Sequence, residues 1–164
     1  MMMKAAVMVV ALGIAGQVSA QERDFLARFD GGIGAIPATN PDGQRTTVRG
    51  VSSAPGPWRI ASLRADIDTY GRVKIRGRGL LIAQGNSIGT NFNQRVFATL
   101  ICGVTAPTLH NTDKAGVAIE PNGDFRIDGT LDQVPAECPN PVLLIRNTGG
   151  LWFAAGIPKL NDED

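Results

Sequence analysis

The segment Gly85-Asn86-Ser87-Ile88-Gly89 fits the G-x-S-x-G pattern of a nucleophile elbow, and it follows the apolar run Leu80-Leu81-Ile82-Ala83, as a strand-to-turn nucleophile requires. A serine nucleophile also needs a base and an acid to orient that base. The one histidine is His110, and no acid lies between it and Ser87, so the chain order serine, acid, histidine is unavailable. A serine hydrolase built on Ser87, His110 and Asp113 in another order is one alternative reading of the chain. The competing reading is a strand-connecting loop, because short glycine patterns recur by chance in a chain with 20 Gly.

Arg72, Lys74, Arg76 and Arg78 alternate along a single run. In a strand they leave the same face, with Arg64 on the neighbouring strand opposite Arg76. An anion or acidic glycan bound at Arg64, Arg76 and Arg78 is the second alternative reading. Against it stands a solvated face, partly neutralised by Asp66 and Asp68, whose cations blunt a sheet edge against aggregation.

The remaining polar clusters point to no cofactor. Eleven Asp against four Glu raises calcium, with Asp124 and Asp128 around Asn122-Gly123 as oxygen donors, but no complete loop motif is met and turn chemistry alone accounts for Pro121-Asn122-Gly123-Asp124. His110 lacks a second histidine or free thiol to share a transition metal. Gly77-Arg78-Gly79 lacks the lysine and following helix of a phosphate loop. Trp58 and Trp152 read as packing residues rather than a sugar-stacking platform. Cys102 and Cys138 form an even pair that reads as one disulfide, the second half lying in the proline-rich run Val134–Pro141.

Residues 1–20, MMMKAAVMVVALGIAGQVSA, place Lys4 before a short apolar run and end on Val18-Ser19-Ala20. That is the pattern of a cleaved secretory signal, and it sends the remaining domain, 21–164, to the periplasm or the medium. No later stretch is long and apolar enough to predict a transmembrane helix. Cleavage removes Lys4 and leaves 15 cations against 15 acids. Such neutrality argues against nucleic acid and anionic lipid as partners, both of which call for excess positive charge. Of those 15 cations 12 are arginine, which favours planar, forked hydrogen bonding over mobile solvated charge.

The elements that must carry these residues are strands. No window after the signal sustains a 3.6-residue period, while Gly and Pro punctuate the chain every ten residues or so. Three hairpins are predicted. Thr69-Tyr70-Gly71 turns the first, aligning Ile67 with Val73, Ala65 with Ile75, Asp66 with Lys74 and Asp68 with Arg72. Pro121-Asn122-Gly123 turns the second, aligning Ile119 with Phe125 and Val117 with Ile127. Thr148-Gly149-Gly150 turns the third, aligning Ile145 with Phe153 and Arg146 with Trp152 in a cation–π contact. Further strands are expected at Phe25–Ile36, Val48–Val51, Gly79–Gln84 and Arg95–Cys102, loops at 39–44 and 52–57, and a frayed acidic end at 161–164. The sum is a single all-β domain of 8–10 short strands, an antiparallel sandwich or small barrel. Without a coherent catalytic set, the leading functional reading is a non-catalytic binding, structural or envelope-associated module.

Overall fold

The computed structural model describes residues 24–36 and 41–160. The predicted signal (1–20) and the acidic end at 161–164 lie outside those residues, as do the first two residues, 39 and 40, of the loop expected at 39–44. Thirteen strands form among the described residues: β1 (Phe25–Gly34), β2 (Thr47–Val48), β3 (Val51–Ser52), β4 (Trp58–Arg59), β5 (Ser62–Asp68), β6 (Arg72–Arg78) and β7 (Leu81–Ile82). After a single 3-10 turn at Gly85–Ser87 come β8 (Arg95–Cys102), β9 (Thr108–Asn111), β10 (Val117–Ala118), β11 (Phe125–Thr130), β12 (Val142–Asn147) and β13 (Trp152–Pro158). Nine of them make one antiparallel sheet in the order β10-β8-β12-β13-β1-β5-β6-β11, with β9 also on β8. The sheet curls into a half-barrel, so the all-β antiparallel expectation holds.

Alternation sets the faces. β6 reads exposed and buried in strict turn, and its apolar partners across β5 are those the sequence predicts, Ile67 opposite Val73 and Ala65 opposite Ile75. The turn is closed by Gly71, whose N–H donates to the Asp68 carbonyl at 2.9 Å and whose φ of +78° suits glycine. Gly77 serves a different purpose: a Cβ there would fall 2.1 Å from the buried Phe125 ring on β11. That contact, rather than any phosphate loop, accounts for the glycine in Gly77-Arg78-Gly79.

Two of the predicted hairpins are corrected. The turn at Pro121–Gly123 forms, with Glu120 N–H donating to the Asp124 carbonyl at 2.8 Å, and Ile119, Phe125 and Ile127 share the core. Its arms then diverge, because Val117–Ala118 pairs with Val96 and Arg95 of β8 while β11 pairs along its whole length with β6. In the third hairpin Arg146 does oppose Trp152, but a register shift next to it brings Ala154, not Phe153, opposite Ile145. The cation–π contact also changes partner. Arg146 Nε donates to the Gly150 carbonyl at 2.9 Å and Nη1 to Thr99 Oγ1 at 3.1 Å, which draws the guanidinium over the Phe97 ring, 5.3 Å from its centre, instead of Trp152. The single strand expected at Val48–Val51 is instead a tight hairpin, β2 to β3, turned by Arg49 and Gly50, both at positive φ.

The concave face carries the main core, including Phe29, Leu63, Ile75, Leu100, Leu143 and Ile145. A smaller cluster of Ala35, Val51, Ile101, Leu144 and Trp152 lies on the convex face, where Val48 of the β2–β3 hairpin packs against it. Residues of β8 and β12 are therefore buried on both sides, which explains why Arg95–Cys102 reads as a nearly continuous apolar run rather than an alternating one.

Cys102 and Cys138 are joined by a disulfide. It pins the irregular segment after β11 to the end of β8, helped by Gly103 N–H donating to the Pro139 carbonyl at 2.7 Å and by Arg49 Nη1 donating to the Asn140 carbonyl at 2.6 Å. Closing a loop of sequence separation 36 stabilises the fold by roughly 4 kcal/mol in the chain-entropy account. In denaturant unfolding a Cys102→Ser/Cys138→Ser variant is expected to lose up to about 4 kcal/mol, with a lower midpoint and a slope equal to or steeper than the parent's, because its unfolded chain is no longer cross-linked.

Candidate functional site

The curled sheet presents β1, β5, β6 and β11 side by side, and register dictates the charge pattern on their solvent face. One row across the strands runs Arg28, Asp66, Lys74, Asp128, alternating in sign. Arg28 Nε bonds Asp66 Oδ1 at 3.0 Å within it. The next row runs Asp30, Arg64, Arg76, Arg126: one acid followed by three arginines on adjacent strands. At the usual strand spacing these three span about 10 Å.

Ion pairs neutralise that row only in part. Arg64 Nη2 reaches Asp30 Oδ2 at 3.4 Å, and Arg76 Nη1 reaches Asp128 Oδ1 at 3.2 Å, all four groups substantially exposed. Of the three arginines expected to hold an anion, Arg64 and Arg76 are thus already ion-paired. Arg78 and Arg126 make no ion pair among the described residues. Arg126 is the member that sequence reasoning missed, because β11 was expected to pair with Val117–Ala118 rather than with β6. The alternating apolar positions Phe125 and Ile127 were signal enough to put Arg126 on the outer face, but not to choose its neighbour.

Ser87, His110 and Asp113 do not form a catalytic set. Ser87 follows β7 on the wall of an open cavity of about 470 Å³, among Trp58, Phe92, Gln94 and Phe153, and no His, Asp or Glu lines that cavity. His110 sits buried on β9 with both ring nitrogens engaged, Nδ1 at 2.8 Å from the Gln133 carbonyl and Nε2 at 2.9 Å from Thr108 Oγ1. The Asp113 carboxylate accepts the Ala115 N–H at 2.9 Å in the following turn. The candidate calcium donors are likewise committed elsewhere. Asp124 Oδ1 accepts the Gly79 N–H at 3.2 Å, while Asp128 holds Arg76. Among the described residues no three His, Cys, Asp or Glu side chains gather as a metal site would need.

A second polar array, unseen in the sequence, crosses from β12 to the segment after β11. Arg146 donates to the Thr99 hydroxyl, which donates to Asn111 Oδ1 at 2.8 Å, and Asn111 Nδ2 donates to Asp132 Oδ2 at 3.1 Å. Every donor in this relay points from the cation to the carboxylate. Burial alone pushes Arg146 below the ordinary guanidinium value, and no carboxylate touches it, so the oriented hydroxyl and amide supply the compensation.

Two carboxylates are held below their ordinary value of 3.8. Burial works to raise Asp68, but the backbone N–H groups of Arg72 and Tyr70, each at 3.0 Å, and the Arg72 guanidinium at 2.6 Å outweigh it. Burial likewise opposes the shift of Asp132, which is outweighed by the backbone and side-chain N–H groups of Asn111, the Gln133 N–H and the charge of Lys114.

No family model matches the chain, and neither a curated protein nor a solved structure matches it significantly.

Because Asp68 and Asp132 are depressed in the folded state, the stability they contribute is complete above their ordinary value and is lost as pH falls through the folded values. Thermal unfolding followed from neutral to strongly acidic pH is expected to show a steady midpoint down to the ordinary carboxylate range and a fall below it. Asp68→Asn and Asp132→Asn each lower the neutral midpoint and flatten that fall.

Proposed function

We propose that this chain is an exported, non-catalytic binding module that recognises a polyanion of the acidic-glycan type through Arg64, Arg76, Arg78 and Arg126. The observation that carries the reading is the in-register row Arg64, Arg76, Arg126. Like charges directly opposite one another across a sheet are destabilising, and the adjoining row has the alternating arrangement that avoids this. A ligand bearing several sulfate or carboxylate groups removes the repulsion and matches the forked donors of arginine. With 15 cations against 15 acids over residues 21–164 as a whole, recognition is local to this face and does not extend to nucleic acid.

Export rests on the sequence pattern of residues 1–20 and is supported by the disulfide, a bond characteristic of oxidising compartments. No helix among the described residues is long and apolar enough to cross a membrane. The non-catalytic reading is supported by the engagement of His110 and Asp113 elsewhere, away from the cavity that Ser87 lines.

Chromatography on heparin resin tests the assignment. The protein is expected to be retained at low salt, with Arg76→Ala and Arg126→Ala eluting clearly earlier. Arg49→Ala removes the same charge on the β2–β3 hairpin and should elute with the parent. Passage through the column at low salt, or equal displacement by all three substitutions, contradicts the proposal.

A further inference from the structure

The cavity beside Ser87 has a composition unlike the arginine face. Its apolar wall is built on Trp58 and Phe153, stacked with ring centres 3.9 Å apart and planes within 14°. No charged side chain lines it. Around the mouth stand Gln84, Asn86, Ser87 and Gln94, and none of their side chains makes a hydrogen bond within the described residues. These amide and hydroxyl groups line the cavity with their hydrogen-bonding capacity uncommitted within the described residues.

Phe92 supplies the second observation. Its side chain is 64% exposed on the cavity rim, and its backbone lies in the left-handed region with φ +50°, followed by Asn93 at +51°. Two successive non-glycine residues there cost conformational energy that surrounding structure must hold in place. The buried Asn91 does so. Its Nδ2 donates to the Glu120 carbonyl at 2.6 Å and its Oδ1 accepts the Asn93 N–H at 2.9 Å. The fold thus fixes an aromatic ring in water at the entrance to an aromatic cavity, where burial alone gives no reason for one.

We infer that the cavity binds an uncharged, hydroxyl-bearing ring, that is, a neutral sugar unit. A charged ligand would give up hydration with no counter-charge to meet it. An aliphatic ligand would strip water from the four polar side chains and leave them unpaired. A neutral sugar satisfies both halves of the site, its hydroxyls pairing with the amides and Ser87 while its C–H face lies against the exposed Phe92 ring over the floor formed by Trp58 and Phe153. A cavity of about 470 Å³ is within the usual range for small-molecule sites. This site is independent of the arginine face: it involves none of the same residues, and sugar binding here requires no anionic group.

Titration of the intact protein with cellobiose, chitobiose and maltose, followed by amide NMR, tests the inference. At least one disaccharide is expected to give saturable shifts in the side-chain amides of Gln84, Asn86 and Gln94 and in the Trp58 indole N–H. Phe92→Ala and Gln94→Ala should each weaken binding about tenfold with the thermal midpoint unchanged, while Arg76→Ala/Arg126→Ala binds as the parent does. Three results overturn it: no saturable shift with any disaccharide at millimolar concentration, shifts unaltered by Phe92→Ala, or saturation by hexanol alone. Because Phe92 and Gln94 are rim residues, failure of both variants to fold would itself contradict their placement as presented, non-core groups.

Discussion

The register of β5 against β6 is the constraint on which the charged face depends. Ala65, Ile67, Val73 and Ile75 are at most 2% exposed, and a slip of one residue would turn the apolar pair of the slipped strand to water. Each larger side chain among them gains about 1.5–3 kcal/mol from burial. Opposed like charges on the outer face cost a few tenths to about 1 kcal/mol per pair. Burial therefore wins by a wide margin, and the arginines stay in line because the apolar face leaves them no other register. The same reasoning extends to β11, where Phe125 over Gly77 and Ile127 beside Ile75 lock Arg126 next to Arg76.

Curling the sheet creates a second problem, since β8 and β12 must be covered on their convex side as well. The β2–β3 hairpin covers one part of that surface, and the polar relay from Arg146 through Thr99 and Asn111 to Asp132 occupies another. The relay also ties the segment after β11 to β9, where Asp132 N–H donates to the Asn111 carbonyl at 2.8 Å. A little further along the chain the disulfide anchors the same segment to β8. The segment after β11 is thus tied to β8, β9 and β12 by main-chain bonds, a relay of oriented side chains and one covalent link. The surfaces proposed to bind ligands, in contrast, lie on the outer face of β5, β6 and β11 and at the loop after β7, away from these ties.

What was legible in the sequence is what short-range physics determines. The β5–β6 hairpin follows from the period of two and a glycine at the turn, so its register and its cross-strand charge pairs could be read directly. β8 was bounded correctly because an uninterrupted apolar run ends at a cysteine followed by glycine. The disulfide followed from having only two cysteines. Strand pairing beyond the hairpins was not legible: Val117–Ala118 and β11 share a tight turn, yet nothing local says that each finds a better partner elsewhere. That is why Arg126 escaped notice, although Arg64 and Arg76 did not. The Ser87 motif shows the opposite error, a local pattern whose implied partners are engaged elsewhere in the fold. The cavity was invisible because Trp58, Phe92 and Phe153 come from three separated segments, and the left-handed backbone at Phe92 has no signature in residue type.

The central claim is that the arginine row is maintained for a ligand at a cost to the free protein. Replacing Arg126 by Gln separates the two effects in one variant, through its thermal midpoint at low ionic strength together with its retention on heparin. The account predicts a midpoint above that of the parent, an advantage that shrinks as salt screens the repulsion, and weaker retention. A midpoint equal to or below that of the parent at low salt, with retention unchanged, would contradict it.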